Sequence, residues 1–181
     1  FNAEKYVEDA VRSIMTQTYS NLEIVLMDDC STDSTPQILE KLRKEDNRIK
    51  IYRNIENLKL IKTLNKGIEL CSGEYIARMD SDDISLPTRI EKQVTFLNEN
   101  IDHSIVSTMF FTFKKLEGKK NLYINPSTNE ELRAFLLFKS GICHPASMIR
   151  KSLFTESKLR FEDEYLHVED YALWSKAMYE T

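Results

Sequence analysis

Two acidic clusters dominate the chemistry open to this sequence: Asp28-Asp29 and Asp80-Ser81-Asp82-Asp83. Each directly follows a short run that reads as a strand, Leu22 to Met27 before the first and Tyr75 to Met79 before the second. Carboxylates held close together repel one another and cost stability unless a cation compensates. Oxygen-only ligands select hard divalent ions, Mg²⁺ or Mn²⁺, and Mg²⁺ characteristically joins one or two carboxylates to substrate phosphates. Glycine occurs only at Gly67, Gly73, Gly118 and Gly141, so neither a GxGxxG turn nor a P-loop can be built. A metal at an acidic loop is then the way to hold a diphosphate. Turn formation and helix capping explain Asp33, and Asp80 taken singly. For Asp82-Asp83, on the same inferred rim as Asp29, the functional reading is preferred. The pair Glu169-Asp170 opens the last helix, where complementing the helix dipole is reason enough for acids on residue grounds alone.

The remaining reactive side chains fit no constellation. His144 and His167 lack metal-ligand spacing such as HExxH and read as structural. Cys30, Cys71 and Cys143 are odd in number, far apart and without a CxxC partner. They read as small buried hydrophobes, reduced as in a cytosolic protein. No GxSxG elbow is present, which disfavours a hydrolase of that type.

The elements that must position the acids follow from periodicity. Val7, Ala10, Val11, Ile14 and Met15 share one face of a helix over 4–17. Thr35-Pro36 reads as an N-cap followed by proline at the first helical position, with Ile38, Leu39 and Leu42 facing inward. Ile49 to Tyr52 is a strand, and Leu60, Leu64, Ile68 and Cys71 mark a helix that Gly73 would end as a C-terminal glycine. Pro87 opens a helix carrying Ile90, Val94 and Leu97. Strands alternating with helices of about ten residues indicate an α/β sheet with parallel strands, whose ligands sit beyond the strands' carboxyl ends. The second half is looser: a long strand candidate over 105–113, a polar turn-rich stretch over 116–125, a capping box Thr128-Asn129-Glu130-Glu131, a strand candidate over 144–149 and a helix over 171–179. No repeat or linker divides the chain.

In this order the pieces resemble the family-2 glycosyltransferases of the GT-A fold. The helix ending Ser13-Ile14-Met15-Thr16-Gln17-Thr18-Tyr19 and the loop Asp28-Asp29-Cys30-Ser31-Thr32-Asp33-Ser34-Thr35 look like the family's first two motifs. Gly73-Glu74-Tyr75-Ile76-Ala77 leading to Asp80–Asp83 is similar to its DxD strand, and Leu86-Pro87-x-Arg89 with Gln93 follows. His144-Pro145-x-x-Met148-x-Arg150 and Glu169-Asp170-x-x-Leu173-Trp174 resemble its two later landmarks. The resemblance implies an α/β, Rossmann-like, mostly parallel central sheet flanked by helices. Residues 1–100 would form the nucleotide-sugar half and residues 101–181 a smaller acceptor-side half, in one continuous domain. The implied reaction is inverting, metal-dependent transfer of a sugar from a nucleotide diphosphate donor, with a UDP-sugar favoured, to a saccharide or lipid-linked saccharide, in surface polysaccharide synthesis. Carried over position by position, Phe1 lies against the base, Asp29 hydrogen-bonds it, Asp82 and Asp83 hold the ribose-diphosphate and its Mn²⁺ or Mg²⁺, and Asp170 is the catalytic base. Lys59 stands where many members have glycine; its charge either approaches the diphosphate or is a solvated loop charge. The family's first strand would precede Phe1, so its place in the sheet and part of the nucleotide site are expected to be missing.

Lysine and arginine number 25 against 29 aspartates and glutamates, a net charge of −4 with no basic block, which argues against nucleic acid as a partner. No apolar run approaches the length of a membrane span, and Phe1-Asn2-Ala3-Glu4 does not begin a signal peptide. The expected location is cytoplasmic, including the inner face of the membrane, with peripheral association through segments outside this chain. Two alternatives stand beside the transferase: a Mg²⁺-dependent phosphotransferase or phosphatase using strand-end aspartates, and a non-catalytic nucleotide-sugar-binding fragment.

Overall fold

The computed structural model describes residues 1–114 and 118–180. Helix α1 (Val7–Met15) buries Val7, Ala10 and Val11 and leads to strand β1 (Ile24–Asp28). Helix α2 (Thr35–Glu45) and strand β2 (Ile49–Arg53) follow, and β1 and β2 pair in parallel from Ile24↔Ile49 to Asp28↔Arg53. One apolar cluster, with Val7, Val11, Ile24, Leu39, Leu42 and Ile49 in it, packs both helices on this pair. Arg12, Glu8, Glu45 and Lys41 form an exposed ion network tying α1 to α2.

Helix α3 (Lys59–Leu70) packs over β1, close enough that a methyl group added at Gly67 would meet Met27 Cγ at 3.2 Å. Strand β3 (Tyr75–Ala77), helix α4 (Arg89–Glu99) and strand β4 (Ile105–Ser107) then lead to strand β5 (Phe110–Phe113) and strand β6 (Lys120–Tyr123). Helix α5 (Asn129–Leu136), strand β7 (Ser147–Arg150), helix α6 (Ser152–Thr155) and helix α7 (Glu169–Glu180) complete the described chain. β7 runs antiparallel between β3 and β4, so a strand from the last third of the chain joins β3 in a three-stranded sheet separate from the β1–β2 pair. Among the described residues, β1 and β3 are each paired on one side only. The largest core joins Ile61 and Ile68 of α3 to Ile149, Phe154, Leu173 and Trp174, across both halves.

Local expectations are corrected in five places. Ser34, not Thr35, is the N-cap of α2, because the Thr35 hydroxyl accepts a 2.8 Å hydrogen bond from the Ala3 N–H instead. α3 ends where Cys71 turns extended, and Gly73 has no positive φ, so it is not a left-handed cap. The run 105–113 breaks into β4 and β5, since Thr108 donates to the Ala146 carbonyl rather than continuing with β5's partner. The stretch read as turn contains β6, which pairs antiparallel with β5; residues 115–117 of it lie outside the described residues. The three cysteines are half-buried rather than core. The capping box of α5 is present as expected, Glu131 N–H donating to Thr128 Oγ1 at 3.2 Å.

Candidate active site

The first acidic loop is built by its own hydrogen bonds. Asp29, buried, receives Asn54 Nδ2 and the Leu58 N–H at Oδ1, both at 2.8 Å, and the Lys59 N–H at Oδ2 at 2.9 Å. It thereby caps the start of α3. Burial opposes its charge, yet the donors Asn54, Leu58, Thr63 and Lys59 outweigh burial and hold the carboxyl below its ordinary range. Lys59 has a φ of 67°, the left-handed region where glycine is at ease, and its backbone rather than its amine makes these contacts. The extreme N-terminal segment is clamped onto the same loop. Asn2 N–H donates to Ser31 Oγ and Thr32 N–H to Asn2 Oδ1, each at 2.9 Å, while Asp33 accepts from Glu4 and Thr35 N–H groups. The clamp fixes Phe1, itself exposed, beside the loop that carries Asp29. Asp33 is therefore a turn-making residue, as read from sequence. Asp28 accepts from Ser31 N–H and lies 3.3 Å from Arg53 Nε, a pair set by the parallel register.

The second acidic loop is left differently. Asp80 is held by both ends of the Arg78 guanidinium, at 2.5 and 2.6 Å. Asp82 is exposed and Asp83 half-buried, and neither side chain accepts a hydrogen bond from the described residues. Burial first, then the charges of Asp80 and Asp82, raise the Asp83 carboxyl above its ordinary range against Arg78 and Arg89. Uncompensated negative charge is the condition a cation relieves. Among the described residues no three His, Cys, Asp or Glu side chains converge as a ligand set. The donors present fit a hard ion held by one or two carboxylates and completed by phosphate oxygens.

Arg89 and Gln93, which sequence reasoning matched to a motif without giving them work, set this loop against the segment 144–147. Buried Arg89 donates to the Arg78 carbonyl at 2.7 Å and the Ser147 carbonyl at 3.1 Å; Gln93 donates to the Ala146 carbonyl at 2.8 Å. Burial lowers the Arg89 guanidinium to about 10. These struts hold the end of β3 beside the turn His144–Ala146. Gln17, at the end of α1, similarly grips the segment after Asp83, donating to the Leu86 carbonyl and accepting the Ile90 N–H.

His144 links that turn to α7. Its ring stands 5.2 Å from Phe161 and 5.8 Å from Trp174, edge-on to the latter. Burial, with the Arg78 charge adding to it, lowers the imidazole to about 3, so it is neutral across the working range. Nε2 of His144, Nε1 of Trp174 and Oε2 of Glu169 are all buried without a protein partner. Trp174 lies one helical turn beyond Asp170, on the same face of α7. Asp170 itself is half-buried, at the start of the helix, with Oδ1 accepting the Tyr171 N–H. In sequence His144 reads as structural because it lacks metal-ligand spacing, and the structure buries it in packing of that kind.

The candidates thus form three groups: Phe1, Asp29 and Lys59 on one loop, Asp82 and Asp83 on another, and Asp170 reached through His144 and Trp174. No hydrogen bond among the described residues joins one group directly to the next. A cavity of about 530 Å³, lined by Ser72, Gly73, Glu74, Arg150 and Lys151, lies at the other end of β3 and away from all three.

The sequence profile of the family described as "Glycosyl transferase family 2" matches residues 1–157. The chain belongs to that family. A Haemophilus influenzae protein named as an uncharacterized glycosyltransferase is 38% identical over 187 residues, covering 97% of this chain but 57% of that protein. The Escherichia coli O-antigen biosynthesis glycosyltransferase WbnJ is 33% identical over 180 residues, covering 98% of this chain and 68% of its own length. The crystal structure of Staphylococcus aureus TarS 1–349 in complex with UDP superposes with a TM-score of 0.77 at 25% identity, over 98% of this chain and 52% of that one. The fold is therefore that of the GT-A glycosyltransferases, an α/β architecture, and relatives of the chain include a glycosyltransferase named for O-antigen biosynthesis. This family membership leaves the phosphotransferase reading without support. The chain spans little more than half of the Haemophilus relative. Among the described residues no helix is long and apolar enough to cross a membrane.

Proposed function

We propose that this family-2 glycosyltransferase moves a sugar, with inversion, from a nucleotide diphosphate donor to a hydroxyl of a saccharide or lipid-linked saccharide in surface polysaccharide synthesis at the cytoplasmic face of the membrane. A UDP-sugar is the favoured donor, supported by the UDP bound to the TarS relative. Phe1 and Asp29 border the nucleotide base, with the clamp on Ser31 and Thr32 positioning the ring. Asp29 has already lost its own water to the Asn54, Leu58 and Lys59 donors, so it presents a fixed acceptor at low reorganisation cost. Lys59 stands at the diphosphate side of the same loop. Asp82 and Asp83 would hold a Mn²⁺ or Mg²⁺ ion, which when bound supplies positive charge to the departing diphosphate. Asp170 takes the proton of the acceptor hydroxyl as its oxygen attacks, a general-base role.

One observation carries the reading: β7 and the Arg89–Gln93 struts set the acidic loop of Asp82 and Asp83 beside the His144 turn, whose ring packs on α7, the helix with Asp170 in its first turn. A donor-binding loop and a base-bearing helix therefore share one rigid junction. Asp170→Asn tests it, being nearly isosteric but unable to accept the proton. Transfer should fall about 10²–10⁴-fold while donor affinity, read by thermal shift with UDP and Mn²⁺, stays near that of the parent. Near-normal turnover in Asp170→Asn would remove it as base.

A further inference from the structure

The β5–β6 hairpin does not behave as the rest of the surface does. Three of the four β5 residues and all four β6 residues are exposed. Side chains alternate across a strand, so the ribbon has two faces. One sets Thr112 and Asn121 beside Phe110 and Tyr123; the other is apolar up to Lys120. The register pairs Phe111 with Leu122 on one face, 48% and 49% exposed, and Phe113 extends that face. Phe110 and Tyr123 pair on the other, their rings stacked with centroids 5.1 Å apart. Ile124 continues β6 at 69% exposure and Met109 precedes β5, also exposed. A two-stranded ribbon has little stability of its own, and one that presents this much apolar surface to water is built to be covered.

The charges flanking its strands say by what. Lys114 follows β5, Lys119 precedes β6 and Lys120 opens it, in a chain whose net charge is −4. Lys114, Lys119 and Lys120 are exposed, and among the described residues none pairs with a carboxylate. Lysines flanking apolar and aromatic side chains suit an anionic bilayer, where ammonium groups reach the headgroup phosphates and rings settle at the interface. A second copy of the chain would bring the same lysines against these and be repelled. The hairpin also starts at a fixed point: the Thr108 N–H bonds the Ala146 carbonyl, in the turn that carries His144.

We infer that the β5–β6 hairpin is a peripheral docking surface for an anionic lipid bilayer, with Phe111, Phe113 and Leu122 entering the interface and Lys114, Lys119 and Lys120 contacting the headgroups. This surface lies outside the donor site and does not depend on the chemistry proposed there. Flotation of the purified protein with vesicles of phosphatidylcholine alone, or of phosphatidylcholine with phosphatidylglycerol, tests it at low and high salt. The protein should float with the phosphatidylglycerol vesicles at low salt and be released at high salt, because headgroup attraction is screened within a Debye length. Neutralising each lysine to Gln should lower partition about fivefold, and Lys114→Glu with Lys119→Glu and Lys120→Glu should abolish it. Phe111→Ser with Leu122→Ser should weaken it while leaving the salt dependence. All these positions are exposed, so melting temperature and UDP binding should be unchanged, which separates lost docking from lost folding. Flotation that is absent, equal on neutral vesicles, or unchanged in the triple Glu variant overturns the proposal. So does a sedimentation shift from dimer to monomer in the hairpin variants without any vesicle binding, which makes the face a self-contact. Failure to bind UDP with flotation intact would count against the transferase reading alone.

Discussion

The two acidic loops begin alike, as aspartates following strands, and end in opposite electrostatic states. Around Asp29 the fold supplies a donor for each carboxylate oxygen, and the carboxyl is held below its ordinary range despite burial. Around Asp83 the fold supplies burial and two neighbouring carboxylates, and the carboxyl is pushed up. The one cation nearest in sequence, Arg78, is committed to Asp80. Acidic residues at a strand end are therefore not one kind of site. The Asp29 carboxylate is satisfied by the fold itself. The side chains of Asp82 and Asp83 receive no hydrogen bond from the described residues, which is the condition the proposed cation would relieve.

Asp29→Ala gives the sharpest test of the first half of that contrast. It leaves the Asn54, Leu58 and Lys59 donors without an acceptor in a buried place, and unfolding in urea should show a loss of about 3–4 kcal/mol. A loss under 1 kcal/mol would mean the loop is held by something else. The His144 junction beside the second loop should show itself in pH. The unfolded imidazole takes up a proton near its ordinary value of 6.5, whereas the folded one resists until about 3. Stability is thus complete above about pH 6.5 and declines as the pH falls towards 3, by about 1.4 kcal/mol one unit below the ordinary value. His144→Phe should lose that decline, measured as melting temperature against pH.

Smaller effects probe the second loop and its neighbour. Asp83→Asn removes an unfavourable charge, so the metal-free protein should gain stability, by up to about 1 kcal/mol, while affinity for UDP with Mn²⁺ falls. Loss of stability in this variant would equate the two loops and undo the comparison. Lys59→Gly relieves a left-handed backbone and removes a cation from a helix N-terminus, against the extra freedom glycine has when unfolded. A gain of about 0.5 kcal/mol is expected in thermal melts, with weaker UDP binding if the amine also faces the diphosphate.

Much of this was legible because it is local. The face of α1, the capping box at Thr128 and the strand before Asp28 follow from periodicity and turn chemistry within a dozen residues. Positions such as Thr35, Gly73 and the break at Thr108 were misread for one reason: the partner that decides each conformation is distant in sequence. Thr35 answers to Ala3, and Thr108 to Ala146. β6 escaped notice because its residues, Lys120 to Tyr123, face water on every side, so no burial pattern marks them. Arg89 and Gln93 could be matched as a motif, but their work is to bond carbonyls, and carbonyls have no letter in a sequence.

The residues by themselves determined the alternation of strands and helices up to α4, the two strand-end acidic clusters and the exclusion of a glycine-rich phosphate loop, because propensity, hydrophobic period and composition act over short distances. Tertiary structure alone decided which aspartate is satisfied and which is not. It also set β7 between β3 and β4, brought the His144 ring onto Trp174 and left both faces of a lysine-flanked hairpin in water. Burial, charge neighbourhood and long-range pairing exist only once the chain has closed on itself, and those three quantities separate a carboxylate the fold satisfies from one it does not.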